Sequence, residues 1–186
     1  MKTKLKKWKT LSSKVVFKNH YFTLYDDIVK LPTNEKYHYY LTNKKGKAAM
    51  VLPIDSNGNI LLAKEYRYPV GRVIYGMVGG GVDKGETPLR AVKREMKEET
   101  GLRAKKVTLL GKFYGNPGRS GTIFYIYLAQ GLINGVPKRE QSEFLEYEFC
   151  SSRKIEQLIQ KGKIVDPFLL SAFLLYKLRV KSNNNS

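Results

Sequence analysis

The stretch Gly80–Leu102, GGVDKGETPLRAVKREMKEETGL, decides how the rest of the chain is read. Thr87 followed by Pro88 marks a helix start, because threonine caps free N–H groups and proline suits the first helical position. Gly101 followed by Leu102 marks the stop, a residue suited to left-handed backbone with an apolar one after it. Between them Leu89, Val92 and Met96 recur at helical spacing and face a core. Glu95, Glu98 and Glu99 fall together on another face, since residues three and four apart are neighbours on a helix. Two readings of that acidic patch compete. A merely solvated face, the usual fate of a charge run, would have Lys93, Arg94 and Lys97 dilute the repulsion. A site would instead hold hard divalent cations; magnesium takes a few carboxylates and fills its shell with water and phosphate oxygens. A glycine turn feeding such a helix points toward phosphate chemistry.

The spacing decides between them. Gly80, five residues, Glu86, seven residues, then Arg94-Glu95-Met96-Lys97-Glu98-Glu99-Thr100-Gly101-Leu102 resembles the complete Nudix box, with every fixed position filled. A match of that length is far more specific than a lone glycine motif.

The 186 residues suffice for one domain with a sizeable core and an N-terminal extension. The 42% hydrophobic and 12% aromatic contents argue against disorder. No apolar run approaches a membrane span, and the lysine-rich start lacks a signal peptide's apolar segment. No membrane partner is expected. The single cysteine, Cys150, excludes an internal disulfide, reads as a small buried hydrophobe, and fits the reducing cytoplasm. His20 and His38 form no zinc-ligand spacing. The net charge of +18 is concentrated partly in the first twenty residues, which hold seven lysines and no acid. Such charge attracts nucleic acid, acidic membranes or polyanionic small molecules. No aromatic-interleaved basic motif of a nucleic-acid module accompanies it, so nucleic acid is not the expected partner, although the charge does not exclude it.

In chain order, residues 1–47 read as an antiparallel β unit, with strand formers at 15–17, 22–31 and 37–41 and a turn at Pro32-Thr33-Asn34. Strands at 48–54 and 60–65 are joined at Ser56-Asn57-Gly58-Asn59, whose Asn-Gly is a hairpin signal. Val73–Val78 reads as one short strand running into the glycines. After the box helix come strands at 105–114, 122–130 and 144–149. Ser152 caps a helix that stops near Gly162, and Asp166-Pro167 opens a last, buried helix ending near Leu178. Residues 182–186 are expected to be disordered. The expected fold is α/β, a helix–sheet–helix sandwich on a mixed β-sheet over 48–181, plus the N-terminal antiparallel unit.

The resemblance extends from Trp8 to the last helix and is greatest to the ADP-ribose and nucleoside-diphosphate-sugar pyrophosphatase branch of the Nudix superfamily. The N-terminal unit, the segment Tyr66-Arg67-Tyr68-Pro69, and Pro117, fifteen residues after Leu102, carry it. It implies the same sandwich fold and Mg2+-dependent hydrolysis of ADP-ribose or a related nucleoside diphosphate sugar, with Mn2+ as a substitute. It implies Glu95 and Glu99 as main metal ligands, Glu98 as a third, direct or through water, and the Gly79 backbone carbonyl as another. Arg94 orients a box carboxylate, and Glu86 holds loop and helix together. The catalytic base falls on Glu143, with Glu140 as the alternative. Arg67 and Arg119 are candidates for substrate phosphates or ribose, because guanidinium forks suit such oxygens, and Pro117 marks the substrate class. The branch is typically homodimeric through its N-terminal segments, so Trp8, Tyr21 or Phe22 stacks on the substrate base or packs in the interface. One departure stands out: the branch commonly has glutamate where this chain has Gly76, which leaves substrate and metal count open. Two other readings remain. The +18 charge suits an RNA 5′-end pyrophosphohydrolase. A non-catalytic nucleotide-sugar sensor usually loses box carboxylates, and here they are intact.

Overall fold

The computed structural model describes residues 5–138 and 145–184. Two compact units form, Met1–Gly46 with Tyr114–Thr122, and Lys47–Phe113 with Ile123–Ser186. In the first, β1 (Lys9–Lys18), β2 (Thr23–Lys30) and β3 (Lys36–Thr42) make an antiparallel sheet in the order β1-β2-β3. The β2–β3 turn closes as its residue types require, with Asn34 in the left-handed region at φ 75°. Bulges between Thr10 and Ser12 and between Val15 and Phe17 interrupt β1, and every residue of that strand is exposed. Asp27, by contrast, is buried, and Lys44 Nζ reaches both its oxygens at 2.7 Å.

The second unit holds two sheets. β7 (Val78–Gly81), β4 (Lys47–Pro53), β9 (Ile123–Ile133) and β8 (Arg103–Tyr114) form one, in that order. It is mixed, because β4 runs parallel to β9 and antiparallel to β7. β10 (Leu145–Cys150), β5 (Ile60–Arg67) and β6 (Arg72–Gly76) form the other. The alternation of strand side chains sorts the core into two layers. Ala49, Val51, Leu61 and Tyr127 pack with Ala91, Val92 and Met96 of helix α1 (Pro88–Thr100). Leu52, Ile60, Leu62, Ile126 and Leu128 pack with Ile155 of α2 (Ser152–Gln160) and with Leu169, Ala172 and Phe173 of α3 (Pro167–Asn184). Each such large side chain contributes about 1.5–3 kcal/mol when buried. The helix–sheet–helix sandwich follows directly. Cys150 sits fully buried in the second layer, where burial pushes its thiol pKa up.

Four local expectations are revised. The Asn57-Gly58 turn forms, with Gly58 at φ 81° and Asp55 accepting from the Asn57 and Asn59 N–H groups. It does not make a hairpin, however: only the isolated bridge Ile54–Ile60 joins the two strands, which then enter different sheets. The edges of β4 are taken by β7 and β9, and those of β5 by β6 and β10, so neither is left for the other. Val73–Val78 is likewise two strands, β6 pairing with β5 and β7 with β4, with buried Met77 between them. The cap of α2 is Ser151 rather than Ser152: Ser151 has the extended backbone a cap needs, and its hydroxyl accepts from Lys154 N–H. Finally, α3 runs through Asn184, past Leu178, because no glycine or proline interrupts Arg179-Val180-Lys181 and Ser182 donates back to the Leu178 carbonyl.

Candidate active site

The box helix is capped as its sequence requires. Thr87 Oγ1 accepts from Arg90 N–H at 3.3 Å, and Gly101, at φ 74°, donates to the Lys97 carbonyl at 2.9 Å. One turn of helix past the first core residues, Arg94 spreads its guanidinium among the acidic groups. Nε and Nη2 donate to the two oxygens of Glu86 at 3.3 and 3.1 Å, and Nη2 also reaches the Gly81 carbonyl at 3.2 Å. Nη1 donates to Glu95 Oε1 at 2.9 Å and to Glu98 Oε2 at 3.2 Å, and Asp83 lies 3.6 Å from Nη2. One cation thus ties the loop to the helix and holds the carboxylates despite their mutual repulsion. The Arg94 hydrogen bonds hold the Glu86 carboxyl below its usual range, and the same carboxylates push the guanidinium pKa up.

Glu99 is set apart from that fan. It is buried, 6% exposed, with Oε1 accepting from Gly79 N–H at 3.1 Å and Oε2 accepting from the Tyr147 hydroxyl at 2.8 Å. Two glycines beside the helix allow other close approaches. Gly79 has φ 140°, and a Cβ there would lie 2.2 Å from the Ala49 carbonyl oxygen on the paired strand. A Cβ at Gly80 would lie 2.5 Å from Glu95 Oε1. A side chain at the first box glycine would therefore have to displace the Glu95 carboxylate packed over it.

The donor set, carboxylates beside strand carbonyls, is hard oxygen throughout and suits a divalent cation of the magnesium type. Among the described residues no three such groups already converge, because Arg94 gathers Glu95 and Glu98 while Gly79 and Tyr147 hold Glu99. Beside this patch, Arg94, Lys97, Glu98, Val136 and Lys138 line a cleft of about 310 Å³, with Lys138 N–H bonded to the Glu98 carbonyl at 2.8 Å. Three cations at one acidic helix end suit phosphate oxygens. A larger cleft of about 430 Å³, bounded by Ile54, Asp55, Gln130 and Phe149, carries no box carboxylate.

The other expected residues lie as follows. Arg67 pairs with Glu65 at 2.9 Å and is half exposed. Pro117, Arg119, Trp8 and Phe22 belong to the N-terminal unit. Arg119 Nη1 donates to the Tyr40 carbonyl at 3.2 Å, Trp8 packs edge-on to Tyr37 and Tyr39, and Phe22 lies against Phe17. Glu140 and Glu143 fall outside the described residues. Gly76 pairs with Ala63, and among the described residues beyond its chain neighbours no heavy atom lies within 4 Å of where its Cβ would stand. Sequence reading missed Tyr147. Its only signal is an aromatic residue in a strand that ends in the core.

A carboxylate-bearing helix clamped to a glycine loop by arginine, on a helix–sheet–helix sandwich, defines a hydrolase of phosphoanhydrides. Residues 44–170 match the NUDIX domain, and residues 8–41 match the nucleoside diphosphate sugar hydrolase N-terminal domain. The chain belongs to the Nudix family and is a Nudix hydrolase. It is similar to an ADP-ribose pyrophosphatase of Bacillus subtilis, 30% identical over 93% of each chain. An ADP-ribose pyrophosphatase of Mycobacterium tuberculosis is 32% identical, covering 90% of this chain and 82% of that one. A methanol dehydrogenase activator of Bacillus methanolicus is 27% identical over 88% and 89%. A crystal structure of an ADP compounds hydrolase superposes with a TM-score of 0.88 over 99% of this chain and 100% of that one; at 23% identity the likeness is one of fold. Nudix hydrolases generally use divalent metal ions. Among the described residues no helix is long and apolar enough to cross a membrane.

Proposed function

We propose that this hydrolase cleaves the pyrophosphate bond of ADP-ribose or a related nucleoside diphosphate sugar, using Mg2+ or, in its place, Mn2+. The products are a nucleoside monophosphate and a sugar phosphate. The observation that carries the reading is the Arg94-organised carboxylate set on α1 beside buried Glu99. The similarity to two ADP-ribose pyrophosphatases supports the substrate class. Glu95 and Glu99 are the main ligands in this reading, Glu98 a third, and the Gly79 carbonyl a further donor. When bound, the cation neutralises phosphate charge and lowers the pKa of a water it holds. Arg94 keeps Glu95 and Glu98 in place, and the Lys97 and Lys138 ammonium groups meet phosphate oxygens in the cleft beside them. Arg67 and Arg119 serve the phosphates or the ribose, Trp8 and Phe22 the base or the interface, and Pro117 shapes the loop. The buried free thiol of Cys150 suits a cytoplasmic setting.

Offering ADP-ribose, GDP-mannose and 5′-triphosphorylated RNA side by side with magnesium tests the assignment. Turnover of a nucleotide sugar is expected. Strong preference for the RNA, which the +18 charge would favour, overturns it.

Glu143 is the general base in this proposal, accepting the proton of the attacking water. Glu143→Gln is expected to lower kcat about a hundredfold with KM largely kept, the signature of a lost base. An equal or larger loss in Glu140→Gln moves the role to Glu140.

The N-terminal unit carries the proposed homodimer contact. Its strand β1 is exposed along its whole length, and Val15, Val16, Phe17, Tyr37 and Tyr40 are exposed hydrophobics. A second copy covers such a surface without a new partner. Salt screens the repulsion of two basic chains beyond about 8–10 Å. Light scattering at micromolar protein and moderate salt is expected to give twice the 21.3 kDa chain mass. A fully active monomer removes both the dimer and any shared site.

A further inference from the structure

Among the described residues two charged side chains are buried, and the structure treats them differently. Asp27 meets a lysine ammonium at both oxygens. Glu99 meets a backbone N–H on one oxygen and the Tyr147 hydroxyl on the other. A phenol donates to a carboxylate without cancelling its charge.

The position of Tyr147 follows from the sheet register. Tyr147 on β10 stands opposite Ala63 on β5, and Ala63 stands opposite Gly76 on β6, so the three form one row on one face. The row presents a large ring, a methyl group and a glycine, and the ring packs against the core layer under α1. Beside these small neighbours the phenol hydroxyl meets a carboxylate that lies 48 positions away in sequence. The ring is held by packing and the hydroxyl is aimed by it.

We infer that Tyr147 is a positioning residue of the hydrolase: its hydroxyl fixes the Glu99 carboxylate in the one orientation from which that group meets the metal. The inference rests on the proposed role of Glu99 as a ligand. Groups that hold a ligand from behind typically change metal affinity or activity 10–100-fold when removed. Without the hydroxyl, Glu99 loses one of the hydrogen bonds that orient its carboxylate, and binding must supply more of that ordering.

Tyr147→Phe tests this, because it keeps the ring and removes the oxygen alone. Free Mn2+ is measured by electron paramagnetic resonance on the full chain without substrate, alongside kcat, KM and thermal melting. The expected result is a Mn2+ dissociation constant raised at least about tenfold. The loss in rate should be largest at low metal and recover toward wild type at saturating metal, with the nucleotide-sugar KM and the melting temperature little changed. In the Glu99→Gln background the tyrosine substitution should add nothing, since the two act as one unit. Unchanged Mn2+ affinity in Tyr147→Phe, while Glu99→Gln weakens it, overturns the positioning role and leaves the ligand reading standing. Unchanged affinity in Glu99→Gln itself overturns both. A large fall in melting temperature with unchanged Mn2+ affinity assigns the tyrosine to structure alone and overturns the inference as well.

Discussion

Glu99→Gln is expected to lower turnover about a thousandfold, equivalent to about 4 kcal/mol of transition-state stabilisation lost with one proposed charged metal ligand. The fold survives, and the reason lies in the partners of the side chain. A glutamine oxygen still accepts from Gly79 N–H, and its amide donates to the Tyr147 oxygen, since a phenol accepts as well as donates. A buried charge is removed while both of these hydrogen bonds are kept, so the melting temperature should hold or rise. Steady-state kinetics at saturating magnesium, with a melting curve on the same sample, is the check. Near wild-type turnover there would sink the metal assignment.

Arg94→Ala acts on the other half of the site and strikes stability as well as rate. Glu86, Glu95 and Glu98 share this guanidinium within 3.3 Å, and Asp83 stands close by. Removing one partner of a buried ion pair typically costs about 3–5 kcal/mol, and here the side chain is 32% exposed, so solvent screening brings the expected loss to about 2 kcal/mol. For a chain of this size that corresponds to about 4–8 °C in melting temperature. Turnover should fall about a hundredfold, because Glu95 and Glu98 lose the group that aligns them. Arg94→Lys restores charge without the fork and should recover only part of either loss. Thermal melting of the two variants beside wild type decides it. An unchanged melting temperature and rate in Arg94→Ala would show that the fan of hydrogen bonds holds nothing together.

The two variants separate parts of the site that differed in how far they could be read in advance. The Arg94 fan lies almost wholly within one helix and the loop before it. The resemblance along the chain is therefore enough to imply that Arg94 orients a box carboxylate and that Glu86 ties loop to helix, while the sharing of one guanidinium by Glu95 and Glu98 is read from the structure. The Glu99 environment is assembled from three elements, α1, β7 and β10, and spacing identified only the glutamate. Gly76 shows the same boundary. Its identity is visible at once as a departure from the branch, but its place in a row with Ala63 and Tyr147 comes from pairing alone.

The sequence by itself determined the box helix from cap to stop, the shared face of its carboxylates, the family resemblance and the layered α/β plan. These rest on interactions within a turn or two of helix, or on the alternation of a single strand. Tertiary structure alone decided that the Asn57-Gly58 turn sends its strands into different sheets, and that the chain changes sheets at Met77. It also decided that a tyrosine in β10 holds a glutamate in α1. A turn motif fixes the direction of a few residues, but a strand pairs with whichever neighbour the collapsed core brings to its edge. That competition is settled by burial across the whole domain, where no local preference has the deciding weight.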